Sequence, residues 1–394
     1  MKVFYINVTF DSGSTGRIIK SCTDVLEKNN IEWFAAYAIG NNIPKKNIYK
    51  YINTFEFFVI RAMRKLFGKH SLGTTIPTLK LIRKIKKENP DIIHLHVIHH
   101  QSCNYKLLFN FLKNYGKKVC YTMHDCWAFT GGCYYYSAID CEKFTKGCLN
   151  CEAKKNRIDI AGFRISKAYE VKKNLLTENE NLYVTTVSQW LFDEVKKSFL
   201  KNKPIYKISN GIDVHSFKPL NVKKDDKFVI LGVATAWVER KGLKEFLELS
   251  KLIDYDMKIV LVGQIADASV YREFKNVEFV GSITSKEELS KYYSMADVFV
   301  HLSTEETFGL VTAEAMACGT PVVVYNKTAC PECVTNGCGQ IVNYDDGIDG
   351  VFKAIEVIRN NKTDYSNVCR SNVVENFSTE KMVEGYMSLY KNIF

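Results

Sequence analysis

The run Val298-Phe299-Val300-His301-Leu302 is followed by Ser303-Thr304-Glu305-Glu306-Thr307-Phe308-Gly309-Leu310-Val311-Thr312-Ala313-Glu314-Ala315-Met316-Ala317-Cys318-Gly319-Thr320-Pro321 and then by Val322-Val323-Val324-Tyr325. Two short apolar runs bounded by turn residues and joined by a helical segment are the signature of parallel strands buried on both faces. A strand ending at Leu302 and a helix starting near Phe308 place Glu306 just ahead of a helix N-terminus. Free backbone amides and the helix dipole favour an anion there, and Gly309 lets a ligand approach the backbone. Glu314 stands about two turns further on, so both carboxylates border one ligand in this reading. Taken alone, the same stretch also reads as a solvated helix start with acidic residues favouring its N-terminus.

The pattern extends in both directions. Phe228–Val233, Lys258–Val262 and Val277–Val280 are further apolar strand candidates, separated by amphipathic stretches such as Glu287–Met295. An earlier series begins with Lys2–Val8, a turn carrying Gly13 and Gly16, and a helical pattern to Asn29; Trp33–Tyr37, Ile92–Val97, Lys118–Met123 and Leu182–Val187 follow as strands. The polar stretch Asn221–Lys227, just after Phe217-Lys218-Pro219, has the composition of a linker. The expected organisation is an α/β fold of two Rossmann-like, doubly wound parallel-sheet domains, residues 1–219 and 220–378. A C-terminal helix, 379–394, is expected to pack back near the first domain. Such domains leave a cleft faced by the carboxyl ends of both sheets, where ligands of open α/β sheets bind.

Composition supports this. With 394 residues and 46% hydrophobic side chains the chain can bury a substantial core. No apolar run reaches the roughly 18 to 20 residues of a membrane span, and Asp11 interrupts the opening stretch too early for a signal peptide, so neither secretion nor a span is expected. The net charge of +11 is unevenly held: residues 1–219 carry +17 and residues 220–394 carry −6. Thirteen cysteines in such a chain suggest a reducing compartment. Within the acidic second half, Arg240 and Lys241 stand next to each other after a strand and before a helix. A guanidinium fork and a point charge there can neutralise a diphosphate, although a surface Arg-Lys pair is common in so basic a chain.

The combination Arg240-Lys241-Gly242, Glu306 with Glu314 in an E-x(7)-E frame, and Gly319-Thr320-Pro321-Val322 resembles the donor-binding domain of retaining glycosyltransferases of family 4, with the GT-B fold. Asn210-Gly211-Ile212-Asp213, Val187-Ser188, the Gly13–Gly16 turn and His124-Asp125 extend the resemblance over nearly the whole chain. It implies a nucleotide-diphosphate sugar as donor and no metal for catalysis. It further implies that Arg240 and Lys241 hold the diphosphate, Glu314 the ribose, and Glu306 the donor sugar. The amides of Phe308, Gly309 and Leu310 would line the pyrophosphate and sugar, and Gly16 would let the first domain's helix start close over the same phosphates. Fixed cations and helix-start amides suit a leaving group that builds negative charge. His124, at the carboxyl end of a strand, is expected to hydrogen-bond and orient the donor sugar. The catalytic residues in this reading are His124 and Glu306. Asp254-Tyr255-Asp256, which mimics a metal-binding Asp-x-Asp, precedes its strand and reads as a loop.

His94, His96, His99 and His100 suggest core or strand-end roles rather than a metal site. Cys133, Cys141, Cys148 and Cys151 leave two readings side by side: a structural zinc site ordering a long loop, as similar cysteines in a subset of the resembled enzymes invite, or free buried thiols. Phe55–Phe67 and Leu79–Lys87 combine apolar residues with cations, a composition suited to an anionic membrane surface. The resulting expectation is a retaining hexosyltransferase acting on a saccharide or polyprenyl-linked acceptor in bacterial surface polysaccharide synthesis. It would be cytoplasmic and peripheral on the inner face of the membrane, with no nucleic-acid partner. The rivals are a nucleotide-sugar epimerase of the same fold and a zinc-containing nucleic-acid-binding protein. An NAD-dependent oxidoreductase fits least, because Gly13-Ser14-Thr15-Gly16 lacks the G-x-G-x-x-G spacing.

Overall fold

The structure, a computed structural model, describes residues 1–67, 74–99, 102–151, 164–267, 271, 273–335, 337–361 and 363–394. The chain forms two compact units, Met1–Ile208 with Val383–Phe394, and Ser209–Met382.

In the first unit, β1 (Lys2–Asn7), β2 (Glu32–Tyr37), β3 (Ile48–Lys50), β4 (Ile92–Leu95), β5 (Lys118–Met123), β6 (Leu182–Thr186) and β7 (Ile205–Lys207) form a seven-stranded sheet in the order β3-β2-β1-β4-β5-β6-β7. Every pairing is parallel. The helices of this unit are α1 (Gly13–Lys28), α2 (Thr54–Phe67), α3 (Thr75–Glu88), α4 (Tyr105–Tyr115), α5 (Arg164–Thr177) and α6 (Gln189–Lys197). The strand order reverses between β1 and β4. Asn7, 1% exposed, ties the two ends together there: its Oδ1 accepts from Val97 N at 3.0 Å and its Nδ2 donates to Thr9 O at 2.8 Å.

The second unit repeats the plan with β8 (Phe228–Ala236), β9 (Met257–Gln264), β10 (Val277–Gly281), β11 (Val298–His301), β12 (Val322–Tyr325) and β13 (Gly339–Val342), ordered β10-β9-β8-β11-β12-β13 and again all parallel. Its helices are α7 (Leu243–Leu249), α8 (Lys286–Met295), α9 (Leu310–Ala317), α10 (Gly347–Asn360) and α11 (Tyr365–Asn376). The last helix, α12 (Thr379–Ile393), starts in this unit and from Val383 belongs to the first. The core is the sheet itself: Ile230, Ile259, Leu261, Val298, Val300 and Val323 are all at most 1% exposed.

Residues 209–219 belong to the second unit, ahead of the linker composition. Ile212 N donates to Phe377 O at 2.8 Å, and Arg370 binds the carbonyls of Val214 and Phe217, each at 3.0 Å. The strands without a signal in the sequence, β3, β7 and β13, all lie at sheet edges. Half-exposed edge strands have one neighbour and no need of a continuous apolar run.

Candidate functional site

In the second sheet the order reverses between β8 and β11, the switch point at which open α/β sheets bind ligands. The chain leaves β8 into a single 3-10 turn, Glu239–Lys241, closed by Gly242 in the left-handed region at φ 80°. That turn is fastened to the segment after β11. Arg240 O accepts from Ser303 Oγ and Thr304 N, both at 3.1 Å, and a Cβ at Gly242 would lie 2.5 Å from Leu302 Cβ. The fastening brings Lys241 Nζ onto Glu306 Oε1 as a close ion pair, with side chains only 19% and 13% exposed.

Glu306 has a further neighbour that the sequence reading passes over. His301, the last residue of β11, is buried, with Nδ1 on Thr312 Oγ1 at 2.8 Å and Nε2 3.3 Å from Glu306 Oε1. The latter is an ion-pair distance without hydrogen-bond alignment. The backbone of Glu306 is held too, its N–H donating to Thr328 Oγ1 at 2.9 Å. Burial pushes the carboxyl upward, but the Lys241 ammonium and His301 outweigh it and hold Glu306 well below the usual carboxylate range.

Helix α9 starts at Leu310, two positions later than its sequence pattern suggests, because Gly309 caps it at φ 87°. Phe308, 3% exposed, packs against Phe377 at 5.8 Å between ring centroids and anchors the approach to the helix. The first amides of α9 have no intrahelical partners. Glu314, in the helix's second turn, is half-buried and accepts from Tyr293 OH at 3.0 Å. The two carboxylates of the E-x(7)-E frame thus differ: Glu306 is ion-paired and Glu314 is oriented by a phenol.

In the first unit, Gly16 lies in the first turn of α1. A Cβ there would stand 2.7 Å from Thr9 Oγ1 and 3.3 Å from Asp11 N, so its own loop already demands glycine. His124 follows β5. Its Nε2 is 2.9 Å from His96 Nδ1 and the rings lie nearly parallel, 20° apart. Burial pushes the His124 imidazole down to about 4, against an upward pull from Asp125. Asp125 itself accepts from Trp127 N at 2.9 Å and pairs with His99 Nε2 at 2.7 Å. His94 is satisfied on both sides, by Tyr390 OH at 2.5 Å and Thr122 Oγ1 at 2.7 Å. His100 lies outside the described residues.

The zinc reading of the cysteine loop is not supported. No group of three or more His, Cys, Asp or Glu among the described residues is placed to hold a metal ion, Cys133, Cys141, Cys148 and Cys151 included. Cys148 Sγ instead accepts from Gly131 N at 3.1 Å, and burial pushes its thiol up to about 11, which disfavours the thiolate a metal needs. What braces this loop is Lys172, also unremarked in the sequence reading. It is 1% exposed, its Nζ donates to Trp127 O and lies 4.2 Å from the centroid of the Trp127 ring, and burial pushes its ammonium down to about 7. Asp254 and Asp256 face Arg359, at 3.5 and 2.5 Å.

Two doubly wound parallel-sheet units in one chain are the architecture of the GT-B class. Residues 214–372 match the model of the glycosyl transferases group 1, and residues 53–216 that of glycosyltransferase family 4. The chain belongs to glycosyltransferase family 4 and has the GT-B fold. Sucrose-phosphate synthase from Thermosynechococcus elongatus aligns at a TM-score of 0.72 and 19% identity, covering 100% of this chain and 99% of that one. HepE of Anabaena, solved with UDP and glucose, aligns at 0.65 and 14%, covering 100% of both chains. Among curated proteins, N-acetyl-alpha-D-glucosaminyl L-malate synthase of Bacillus anthracis is 25% identical over 53% of this chain and 59% of its own length. The capsular polysaccharide biosynthesis glycosyltransferase CapM of Staphylococcus aureus is 27% identical over 46% of this chain and 53% of its own. The chain thus spans little more than half the length of these curated relatives.

Proposed function

We propose that this protein is a retaining glycosyltransferase that moves a sugar from a nucleotide diphosphate to a saccharide or polyprenyl-linked acceptor, in the assembly of a bacterial surface polysaccharide. The observation that carries the reading is the Lys241–Glu306 pair at the β8/β11 switch point, beside the start of α9. An incoming diphosphate brings more charge than one carboxylate and takes over Lys241, with Arg240 and the first amides of α9 as its other partners. Glu306, released but still fixed through its backbone and His301, then turns its oxygens to the hydroxyls of the donor sugar. Glu314, oriented by Tyr293, takes the ribose. As the C1–O bond to the β-phosphate breaks, its electron pair leaves on that phosphate, where the same fixed cations stabilise it; an acceptor hydroxyl oxygen bonds to C1 on the face the phosphate leaves, its proton passes to the departing phosphate oxygen, and no catalytic metal is called on. His124 contacts the donor sugar as a neutral imidazole.

The Staphylococcus aureus relative named for capsular polysaccharide biosynthesis, and a Campylobacter jejuni N,N'-diacetylbacillosaminyl-diphospho-undecaprenol alpha-1,3-N-acetylgalactosaminyltransferase, 31% identical over 42% of this chain and 42% of its own, support the acceptor class. No described helix is long and apolar enough to cross a membrane. In the first unit, however, Phe55 and Phe58 of α2 and Ile76 of α3 are 76%, 61% and 65% exposed, and Arg83, Lys86 and Lys87 are exposed further along α3. Apolar side chains beside cations suit a peripheral site on the inner face of the cytoplasmic membrane.

Lys241→Ala and Glu306→Ala are each expected to lower transfer about 100-fold or more, as loss of a fixed electrostatic partner does. Near-normal transfer in both would overturn the donor-site reading. The anomeric configuration of the product, read by NMR, tests retention, and transfer in the presence of a chelator tests metal independence. Flotation with anionic vesicles, which Phe55→Ser with Phe58→Ser should weaken, tests the membrane contact.

A further inference from the structure

We infer that His96 is a positioning residue that fixes the tautomer of His124, so that His124 carries its proton on Nδ1 and acts as a hydrogen-bond donor from that nitrogen. Strands β4 and β5 run side by side with Leu95 opposite Tyr121, which brings His96 and His124 together just beyond their ends. The contact is His96 Nδ1 to His124 Nε2 at 2.9 Å. One ring donates its proton to the other.

The direction of that bond follows from the other side of His96. The residue is 1% exposed, and its Nε2 has no hydrogen-bond partner among the described residues. The ring is packed among those of His94, Tyr5 and Tyr386, with centroids 4.2, 6.1 and 6.4 Å away. A neutral imidazole has one N–H and one lone pair. Placing the N–H on Nε2 would bury an orphan donor, whereas placing it on Nδ1 leaves only an unused lone pair, which proteins tolerate better. His96 therefore donates from Nδ1 to the Nε2 lone pair of His124, and the single proton of a neutral His124 is left on its Nδ1. Both rings are held neutral, since burial lowers each of them.

Two consequences follow for the chemistry. The group that His124 meets through Nδ1 must be an acceptor, such as a hydroxyl or ring oxygen of a sugar or a phosphate oxygen. Nε2, already accepting from His96, is not available as a general base. The tautomer stands on the hydrogen-bond geometry and the burial of both rings; its bearing on transfer rests on the proposed role of His124 at the donor sugar.

The test is long-range ¹H–¹⁵N correlation of the full-length protein labelled with ¹⁵N-histidine, near neutral pH, with assignments from single-histidine variants. Wild-type protein should show His124 protonated at Nδ1 and unprotonated at Nε2, and His96 likewise; a proton on His124 Nε2 overturns the inference, with no variant needed. In His96→Leu the His124 pattern should shift towards a mixture of tautomers and kcat should fall about tenfold, the size expected for one lost orienting hydrogen bond. In His96→Asn, whose amide nitrogen takes the place of Nδ1, both should recover. An unchanged His124 spectrum in His96→Leu overturns the positioning role. If His124→Ala transfers normally while the wild-type tautomer is as stated, the glycosyl-transfer role of His124 falls and the tautomer assignment stands.

Discussion

Gly242 joins the turn bearing Arg240 and Lys241 to the segment bearing Glu306, and Gly242→Ala measures how much that junction matters. Its φ is 80°, and an added Cβ would meet Leu302 Cβ at 2.5 Å and Leu302 O at 2.7 Å. The backbone contribution can be separated from the steric one, because Gly281 has φ 81° with nothing within 4 Å of its virtual Cβ. Left-handed backbone costs an alanine about 1–2 kcal/mol, offset by about 0.4–1 kcal/mol of entropy removed from the unfolded chain. Gly281→Ala should therefore cost about 1 kcal/mol or less. Gly242→Ala adds overpacking against main chain, about 1–3 kcal/mol, for a total of about 2–4 kcal/mol. At about 2–4 °C per kcal/mol for a unit of this size, the Gly242→Ala melting point should fall by roughly 4–16 °C, clearly more than that of Gly281→Ala. Relief of the clash moves the Arg240-Lys241 turn away from Leu302 and so draws Lys241 off Glu306, which adds a loss of transfer at temperatures where the variant is folded. Thermal melts of both variants, followed by circular dichroism, give the comparison. Equal melting points for the two would refute the claim that the Gly242–Leu302 contact fixes the cationic turn.

Glu306→Gln should act in opposite directions on binding and turnover: removing the carboxylate that competes for Lys241 should tighten a nucleoside diphosphate about tenfold by calorimetry, while transfer falls. Weaker binding in that variant would contradict the exchange of partners. The first unit should lose stability as the pH falls below about 6.5, since unfolded histidines take up protons there while His124 resists until about 4 and His94 and His96 are also depressed. Each histidine contributes up to about 1.4 kcal/mol per pH unit in that window, so urea midpoints that stay flat between pH 6.5 and 5 would rule this out. Lys172 has the complementary signature: the unfolded chain holds its proton up to about 10.4, the folded one only up to about 7, so stability should rise with pH above 7. Lys172→Met should flatten that rise, and an unchanged slope would show that the ammonium is not buried in solution.

The parts of this molecule that were legible in the sequence are those where one strand must be buried on both sides. Val298–His301 and Val322–Tyr325 are apolar at every position but His301, and the helix between them is punctuated by Gly309 and Gly319, so strand, turn and helix follow from composition. Edge strands escape the same logic, since Ile205-Tyr206-Lys207 needs only one paired neighbour and leaves two of its three side chains to solvent. The junction was legible only as a change of composition near Pro219. Its position at Ser209 is set by hydrogen bonds to the Phe377 carbonyl and from Arg370, more than 150 residues away along the chain. Within the site, Glu306 and Lys241 could be picked out because each is a charge at a turn. His301 and Lys172 could not, and His96 could be given only a core or strand-end place, because their neighbours come from other elements. His301 ends a strand like any buried residue, and only the fold brings it within 3.3 Å of Glu306. The cysteine spacing left a zinc site and free buried thiols side by side, and among the described residues the folded loop does not bring those thiols together as a ligand set.

The distribution of charge connects these observations. An excess of +17 spread over residues 1–219 acts through a field that solvent screens over about 8 Å, which under the proposed membrane contact would favour extended anionic surfaces lying directly against the unit. Such a field brings a partner near without distinguishing one phosphate from another. Lys241 works differently. It sits in the acidic half of the chain, mostly buried, already compensated by Glu306 and backed by a histidine. Leaving it unpaired there would cost several kcal/mol, so the unliganded state has to carry its own counter-charge. In the proposed donor-site reading, that counter-charge is what makes the site discriminating. A lone anion such as inorganic phosphate must displace Glu306 with little else to gain. A nucleoside diphosphate sugar displaces it and then supplies hydroxyls for the released carboxylate and a ribose for Glu314. Under the proposed function, selectivity for the complete donor thus arises from a pair that is broken on binding, whereas affinity for the acceptor's surroundings arises from a net excess of positive charge spread over the first part of the chain.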